Sequence, residues 1–257
     1  MYFIILPIGG LFKMEVLTIL WREFLFFKKR LFNITSAAII NPLLYVIAFG
    51  WGLGSDVQVE GTTYMHFVIP GIIALSTMNT SFSAVSVRVN VSRLYEKSFE
   101  YYLTSPVNMK LLALGQILAG AFRGMYVSIL VLFVALIFGI YIPVNLEFII
   151  ICFLNSFLFS AFGYGAALSI NSHYDMNRFS TFIMTPMSFL CGTFFSLNKL
   201  PLAMKNFINI LPLSFTTTAL RDITIKGNFN KKAIFALLIY SVVFYIYGVA
   251  VSYRELS

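Results

Sequence analysis

The chain has 257 residues, 59% of them hydrophobic and 11% charged, against roughly half and a quarter in soluble domains. Polar side chains are too few to cover a soluble surface of this size, which excludes an ordinary cytosolic enzyme, a disordered chain and a secreted disulfide scaffold. The net charge of +8 fits lysines and arginines that flank membrane spans and face anionic headgroups; it does not call for nucleic acid.

Residues 1–12 are apolar but lack the basic start and cleavage site of a signal peptide, and Met14 opens a more ordinary beginning. Residues 14–30 are too charged to cross a membrane. Glu15, Arg22 and Lys29 recur every seven residues among Val16, Leu17, Ile19, Leu20, Phe24 and Phe27. That pattern predicts an amphipathic helix lying in the interface, with Trp21 at headgroup depth.

Six stretches of 20 or more residues carry no Asp, Glu, Lys or Arg, and about 20 apolar residues suffice to cross a bilayer core. Long unbroken runs also exclude a β-barrel, which alternates apolar and polar residues. The expectation is an all-α protein with six spans near 33–53, 65–86, 112–140, 147–170, 179–197 and 233–253. Basic residues crowd the segment before the first span and the loop between the second and third, whereas 55–64 and 141–146 carry none. Both basic segments, and with six spans both termini, are therefore expected in the cytoplasm.

In the loop 88–110, Ser92 is expected to cap a helix over Arg93–Leu103 that Pro106 terminates. Tyr95, Phe99 and Tyr102 would form an aromatic face and Glu96 and Glu100 an acidic one, suited to a groove on another protein. A solvated connector is the competing reading. Arg123 is the one full charge inside a span; it either snorkels to the headgroups, the preferred placement, or faces the bundle. Ser76, Thr77, Asn79, Thr80, Ser81, Ser83, Asn155, Ser156 and Ser160 in the second and fourth spans are expected to join helices. His173 and Asp175 lie in a short loop without partners for a metal, and Cys152 and Cys191 look like small buried hydrophobes.

The uncharged stretch 206–220 is too short to cross, and Pro201 and Pro212 punctuate it. Two short helical pieces over 198–220, entering and leaving by one face, fit better. Such a segment is tolerated only where protein buries its backbone. Arg221, just beyond, is expected to hold the last carbonyls of the second piece.

No phosphate-binding G-x-x-x-x-G-K-[ST] loop, no Ser/His/Asp set, no H-E-x-x-H and no carboxylate in a span core is present. A membrane enzyme therefore lacks its chemistry, a self-sufficient channel or secondary carrier is the remoter alternative, and the energy source for transport is expected on another polypeptide.

Three parts carry a resemblance: the interfacial helix, Tyr95-Glu96-Lys97 with Glu100-Tyr101-Tyr102-Leu103-Thr104-Ser105-Pro106-Val107, and Gly192-Thr193-Phe194-Phe195-Ser196-Leu197…Leu200-Pro201…Leu211-Pro212-Leu213-Ser214…Ala219-Leu220-Arg221. In that order, on a six-span frame, the chain resembles the type-2 ABC transporter permeases, nearest the branch of nodulation-factor and daunorubicin exporters. Ser196 departs where the family often has proline, and Leu211 where it often has asparagine.

The resemblance implies a single transmembrane domain over 1–257, non-enzymatic and without a cofactor of its own, in a bacterial inner membrane. It implies a homodimer with two separate ABC ATPase chains that carry ATP and Mg. Arg93, Tyr95, Glu96, Phe99, Glu100 and Tyr102 would form the coupling helix, and Pro201, Pro212 and Arg221 an extracellular gate. Phe49, Trp51, Phe182, Phe189 and Phe194 would line the path of an amphipathic or lipid-linked cargo, with a lipid-linked polysaccharide as the alternative.

Overall fold

The computed structural model describes residues 11–50, 58–103, 107–197 and 200–255. Helix α1 (Leu11–Lys29) is followed after Arg30 by α2 (Leu31–Gly50). A two-stranded hairpin, β1 (Gln58–Val59) and β2 (Thr62–Thr63), pairs Gln58 with Thr63 and Val59 with Thr62. It leads directly into α3 (Tyr64–Leu94). The rest is helical: α4 (Glu100–Leu103), α5 (Met109–Ile137), α6 (Leu146–Ser169), α7 (His173–Leu190), α8 (Leu202–Ile210), α9 (Pro212–Thr224) and α10 (Lys231–Arg254). Asn108 and Asn230 open α5 and α10 as side-chain caps, accepting from the amides of Lys110 and Ala233.

Among the described residues five helices are long and apolar enough to cross a membrane: α2, α3, α5, α6 and α10. The expected span over 179–197 differs. Its helix starts earlier, at His173, and stops at Leu190, so Asp175 and Arg178 sit in its first turns and dilute its apolar character. It ends because Gly192 adopts a positive φ of 74°, the left-handed residue that closes many helices. Residues 191–196 then run on without regular structure.

Helix α3 is the axis of the bundle, with Phe67, Ile72, Met78 and Phe82 sealed from solvent. It packs on α5 and α6, and α10 closes against α6. Gly120 and Gly124, one helical turn apart on α5, make this contact close. A β-carbon on Gly120 would strike Val85 and Ser160, and one on Gly124 would strike Ser81 and Ser156. This small-xxx-small spacing lets helices approach where lipid gives no hydrophobic drive for association.

Of the polar residues expected to join helices, Thr77, Asn155 and Ser160 make hydrogen bonds between α3 and α6, Ser160 to the Ser81 carbonyl at 3.4 Å, whereas the Ser81 and Ser156 hydroxyls are buried without a hydrogen-bond partner among the described residues and Ser83 is exposed. Asn155 donates from Nδ2 to Thr77 Oγ1 at 2.8 Å and to the Ala74 carbonyl at 3.1 Å, and accepts from Thr216 Oγ1 at 2.8 Å. One amide thus ties α6 to α3 and α9. Cys152 and Cys191 are free and buried.

Candidate functional site

The predicted site residues fall into clusters at the two ends of α3, a helix about 46 Å long by its rise per residue. At the Leu94 end, the expected helix over Arg93–Leu103 does not form. Helix α3 runs through Ser92 and Arg93, and the Ser92 hydroxyl, instead of capping, donates back to the Val89 carbonyl at 2.9 Å. Lys97 takes a positive φ of 50°, which breaks any continuous helix. Only Glu100–Leu103 is helical beyond it.

The aromatic face is correspondingly divided. Phe99 is buried beside Val89, Met109 and Leu112, Tyr102 is half-buried against it, and Tyr95 projects outward with 68% of its surface exposed. Glu96 and Glu100 are both exposed, and Glu96 lies 3.5 Å from Arg88. Arg93 faces inward. Its Nε and Nη2 donate to both Glu255 carboxylate oxygens at 2.9 and 2.7 Å, and Nη2 also reaches Asn171 Oδ1 at 2.8 Å. This bidentate pair fastens the end of α3 to the end of α10 and the α6–α7 turn.

Beside this segment lies a charged hub that sequence reasoning missed. Glu23 on α1 is only 4% exposed. Its carboxylate accepts from Arg22 Nη2 at 2.8 Å and from Arg123 Nη2 at 2.9 Å, and Arg88 Nε stands 3.8 Å away. Arg22 also donates to the Tyr102 hydroxyl. Arg123 therefore does not snorkel; it faces α1, because a partner carboxylate offsets part of its desolvation. The available signal was the adjacency of Glu23 to Arg22 on the inward stripe of α1.

At the Tyr64 end, the two short helices expected over 198–220 appear as α8 and α9, with Pro201 the residue before the first helix and Pro212 its opening residue in the second. Helix α9 is sunk among α3, α6 and α10, whereas α8 leaves Leu202, Phe207 and Ile210 exposed. Arg221 is 7% exposed and does reach carbonyls, but not those of its own helix end. Nε donates to the Phe67 carbonyl at 3.0 Å and Nη2 to the Thr193 carbonyl at 2.9 Å, with the guanidinium 3.6 Å from the Phe67 ring centroid. The side chain points inward because those carbonyls offer the hydrogen bonds that lipid lacks.

Other groups stitch the same irregular segment. Tyr64 donates to the Phe194 carbonyl at 2.8 Å, Thr217 to that of Cys191 at 2.9 Å, and Ser196 to Glu60 in the hairpin. Gly71 lets the segment approach α3, since a β-carbon there would come within 2.5 Å of the Thr193 oxygen. Outside this knot a polar cavity of about 310 Å³ is lined by Glu60, Lys205, Asn209, Asp222 and Lys226, with Arg221 behind. The Asp222 carboxylate, 2.9 Å from Lys226 Nζ, accepts its hydrogen bond and raises the lysine's pKa.

Three of the predicted path aromatics meet. Phe49 stacks on Phe194 at 4.5 Å, and Phe189 lies 6.0 Å from Phe194. Phe182 points away, exposed on α7, and Trp51 lies outside the described residues. Helix α2 likewise exposes Ile40, Leu44 and Ile47.

Comparison with known proteins places this architecture. The chain is 26% identical over 211 residues to "Inner membrane transport permease YadH" of Escherichia coli K12, covering 79% of this chain and 82% of that protein. It is 24% identical over 252 residues to "Nodulation protein J" of Bradyrhizobium diazoefficiens, covering 93% of each. Nodulation protein J of Rhizobium meliloti is 26% identical over 239 residues and 91% of each chain. The ABC-2 type transporter family profile matches residues 14–225. That stretch runs from α1 through the residue capping α9, so it takes in both end clusters, and the chain belongs to the ABC-2 type transporter permease family as a membrane transport subunit.

Proposed function

We propose that the chain is the permease of an ATP-driven exporter, which moves an amphipathic or lipid-linked molecule outward across a bacterial inner membrane. Family membership carries this reading. The relatives' names, an inner membrane transport permease and nodulation proteins, agree with it. Two permease copies pair through the apolar faces that α2 and α7 leave uncovered, and two ATPase chains bind ATP and Mg beneath them. Exposed apolar area of this kind marks an association surface or a lipid contact. Helix α7 with residues 191–197 completes a sixth crossing, since its 18 residues alone rise about 27 Å. Both termini then lie in the cytoplasm.

In this scheme the segment Tyr95–Tyr102 receives the ATPase stroke. Tyr95, Glu96 and Glu100 present the docking surface, while Arg93, Phe99 and Tyr102 hold it to the bundle. The Arg221 knot with α8 and α9, opened by Pro201 and Pro212, is the outer gate. Phe49, Phe189 and Phe194 face the path below it.

The test is recovery of the ATPase with the purified permease. Glu100→Lys should lower that recovery and the rate of export, through lost charge complementarity, while the permease stays folded. Normal ATPase recovery and normal export in Glu100→Lys would remove the docking role.

A further inference from the structure

The hairpin that leads into α3 turns on two residues. Gln58 pairs with Thr63 and Val59 with Thr62, so Glu60 and Gly61 form the whole loop. Both take a positive φ, 52° at Glu60 and 79° at Gly61. A two-residue hairpin loop with both φ positive is a type I′ turn, and its first position takes asparagine, aspartate or glycine by preference. Gly61 suits the second position. Glu60 does not suit the first: apart from glycine, the left-handed region is reached by asparagine and aspartate, whose short side chains bond the local backbone. A residue held there needs surroundings that fix it.

The surroundings are supplied by Ser196, 136 residues along the chain, whose hydroxyl donates to the Glu60 carboxylate. Ser196 is buried, whereas Glu60 is exposed and lines the polar cavity that Lys205 and Arg221 also line. Earlier in the irregular segment the fastenings differ. Thr217, Arg221 and Tyr64 are buried, and they donate to the main-chain oxygens of Cys191, Thr193 and Phe194. Between Glu60 and Ser196 both partners are side chains, and water competes for an exposed carboxylate, so this bond breaks at the lowest cost. Ser196 also stands where the family often has proline, which has no hydroxyl to donate.

We propose that Glu60 is a positioning residue that latches residues 191–196 to the hairpin through Ser196 and can let them go. The segment then opens from its Ser196 end, while Thr217, Arg221 and Tyr64 keep its beginning in place. The carboxylate supplies the reach that asparagine, the turn's own preference, lacks. The consequence for transport rests on the gate reading above; the latch itself does not.

Hydrogen–deuterium exchange of the full chain in lipid nanodiscs tests this, read on the amides of residues 191–196 against those of α3. Glu60→Asn places asparagine before Gly61, the pair that suits the turn, but shortens the side chain by a methylene. It should leave α3 unchanged and speed exchange at 191–196 roughly two- to ten-fold, the worth of one net hydrogen bond. Ser196→Ala should do the same, and Glu60→Gln, which keeps the length and an acceptor oxygen, should stay closer to the parent. In the Glu60→Asn background Ser196→Ala should add nothing, because the two residues share one contact. Unchanged exchange at 191–196 in Glu60→Asn would overturn the latch, and so would an equal further gain from Ser196→Ala in that background. Acceleration of α3 to the same extent would assign the effect to global loosening and overturn it too. Faster exchange at 191–196 alone, with passive permeation unchanged in proteoliposomes, would keep the latch and remove the gate.

Discussion

Replacing Arg221 by Met isolates what the knot around it contributes. The methionine keeps most of the volume and removes the donors. Two hydrogen bonds from a charged group to carbonyls at 2.9 and 3.0 Å contribute about 1.5–3 kcal/mol each. A desolvated cation over the Phe67 ring at 3.6 Å adds about 2 kcal/mol. Against this stands the several kcal/mol of desolvation that a buried guanidinium incurs and a methionine does not. The net loss is about 2–4 kcal/mol, most of it from carbonyls left without their donor. Denaturant unfolding of the purified permease in detergent measures it, and passive permeation in proteoliposomes should rise. Arg221→Lys should recover roughly half, because a point ammonium lacks the fork that reaches two carbonyls. If Arg221 merely anchored the chain at headgroups, Lys would substitute fully and Met would leave permeation unchanged. A Met variant as stable and as tight as the parent refutes the knot.

Glu23→Gln should cost about 3–5 kcal/mol, since it removes the anion shared by Arg22, Arg88 and Arg123. Faster tryptic cleavage after Lys28–Arg30 would report the release of α1, and the double variant with Arg123→Gln should regain part of the loss. Unchanged cleavage would show that the hub does not hold α1. Thr193→Val should be neutral or stabilising by up to about 1 kcal/mol, because the Thr193 hydroxyl is buried without a hydrogen-bond partner among the described residues. A marked loss of thermal stability would contradict that assignment.

What was legible in the sequence was whatever one helix determines alone. Apolar length gave the five qualifying spans, Pro201 and Pro212 gave the breaks of α8 and α9, and the polar residues of α3 and α6 pointed to joints such as Asn155. What was not legible depended on contacts between distant segments. Arg123 read as a snorkelling charge because Glu23 lies 100 residues away. Ser92 fits a cap by type, but α3 continues through it while its inner face still finds partners on α5 and α6. Residues 191–196 read as a continuation of a span because nothing in their apolar composition announces that α3 and α9 stitch them as irregular chain. The end of α7 at Gly192 and the close crossing at Gly120 and Gly124 carried signals, a glycine after an apolar run and a four-residue glycine spacing.

The acceptors of Arg221 are both main-chain oxygens, at Phe67 and Thr193, and Tyr64 and Thr217 likewise donate to the main chain of the same segment at Phe194 and Cys191. The fastening is therefore asymmetric with respect to mutation. Its donors are specified by side chains, so Arg221, Tyr64 and Thr217 are constrained in identity. Its acceptors are specified by backbone course, so residues 191–194 are constrained first in path, and Gly192 among them in identity as well, since its φ is 74° and a β-carbon there would meet Leu197. A substitution at Cys191, Thr193 or Phe194 that keeps the backbone course therefore changes packing without removing an acceptor that holds the segment in place.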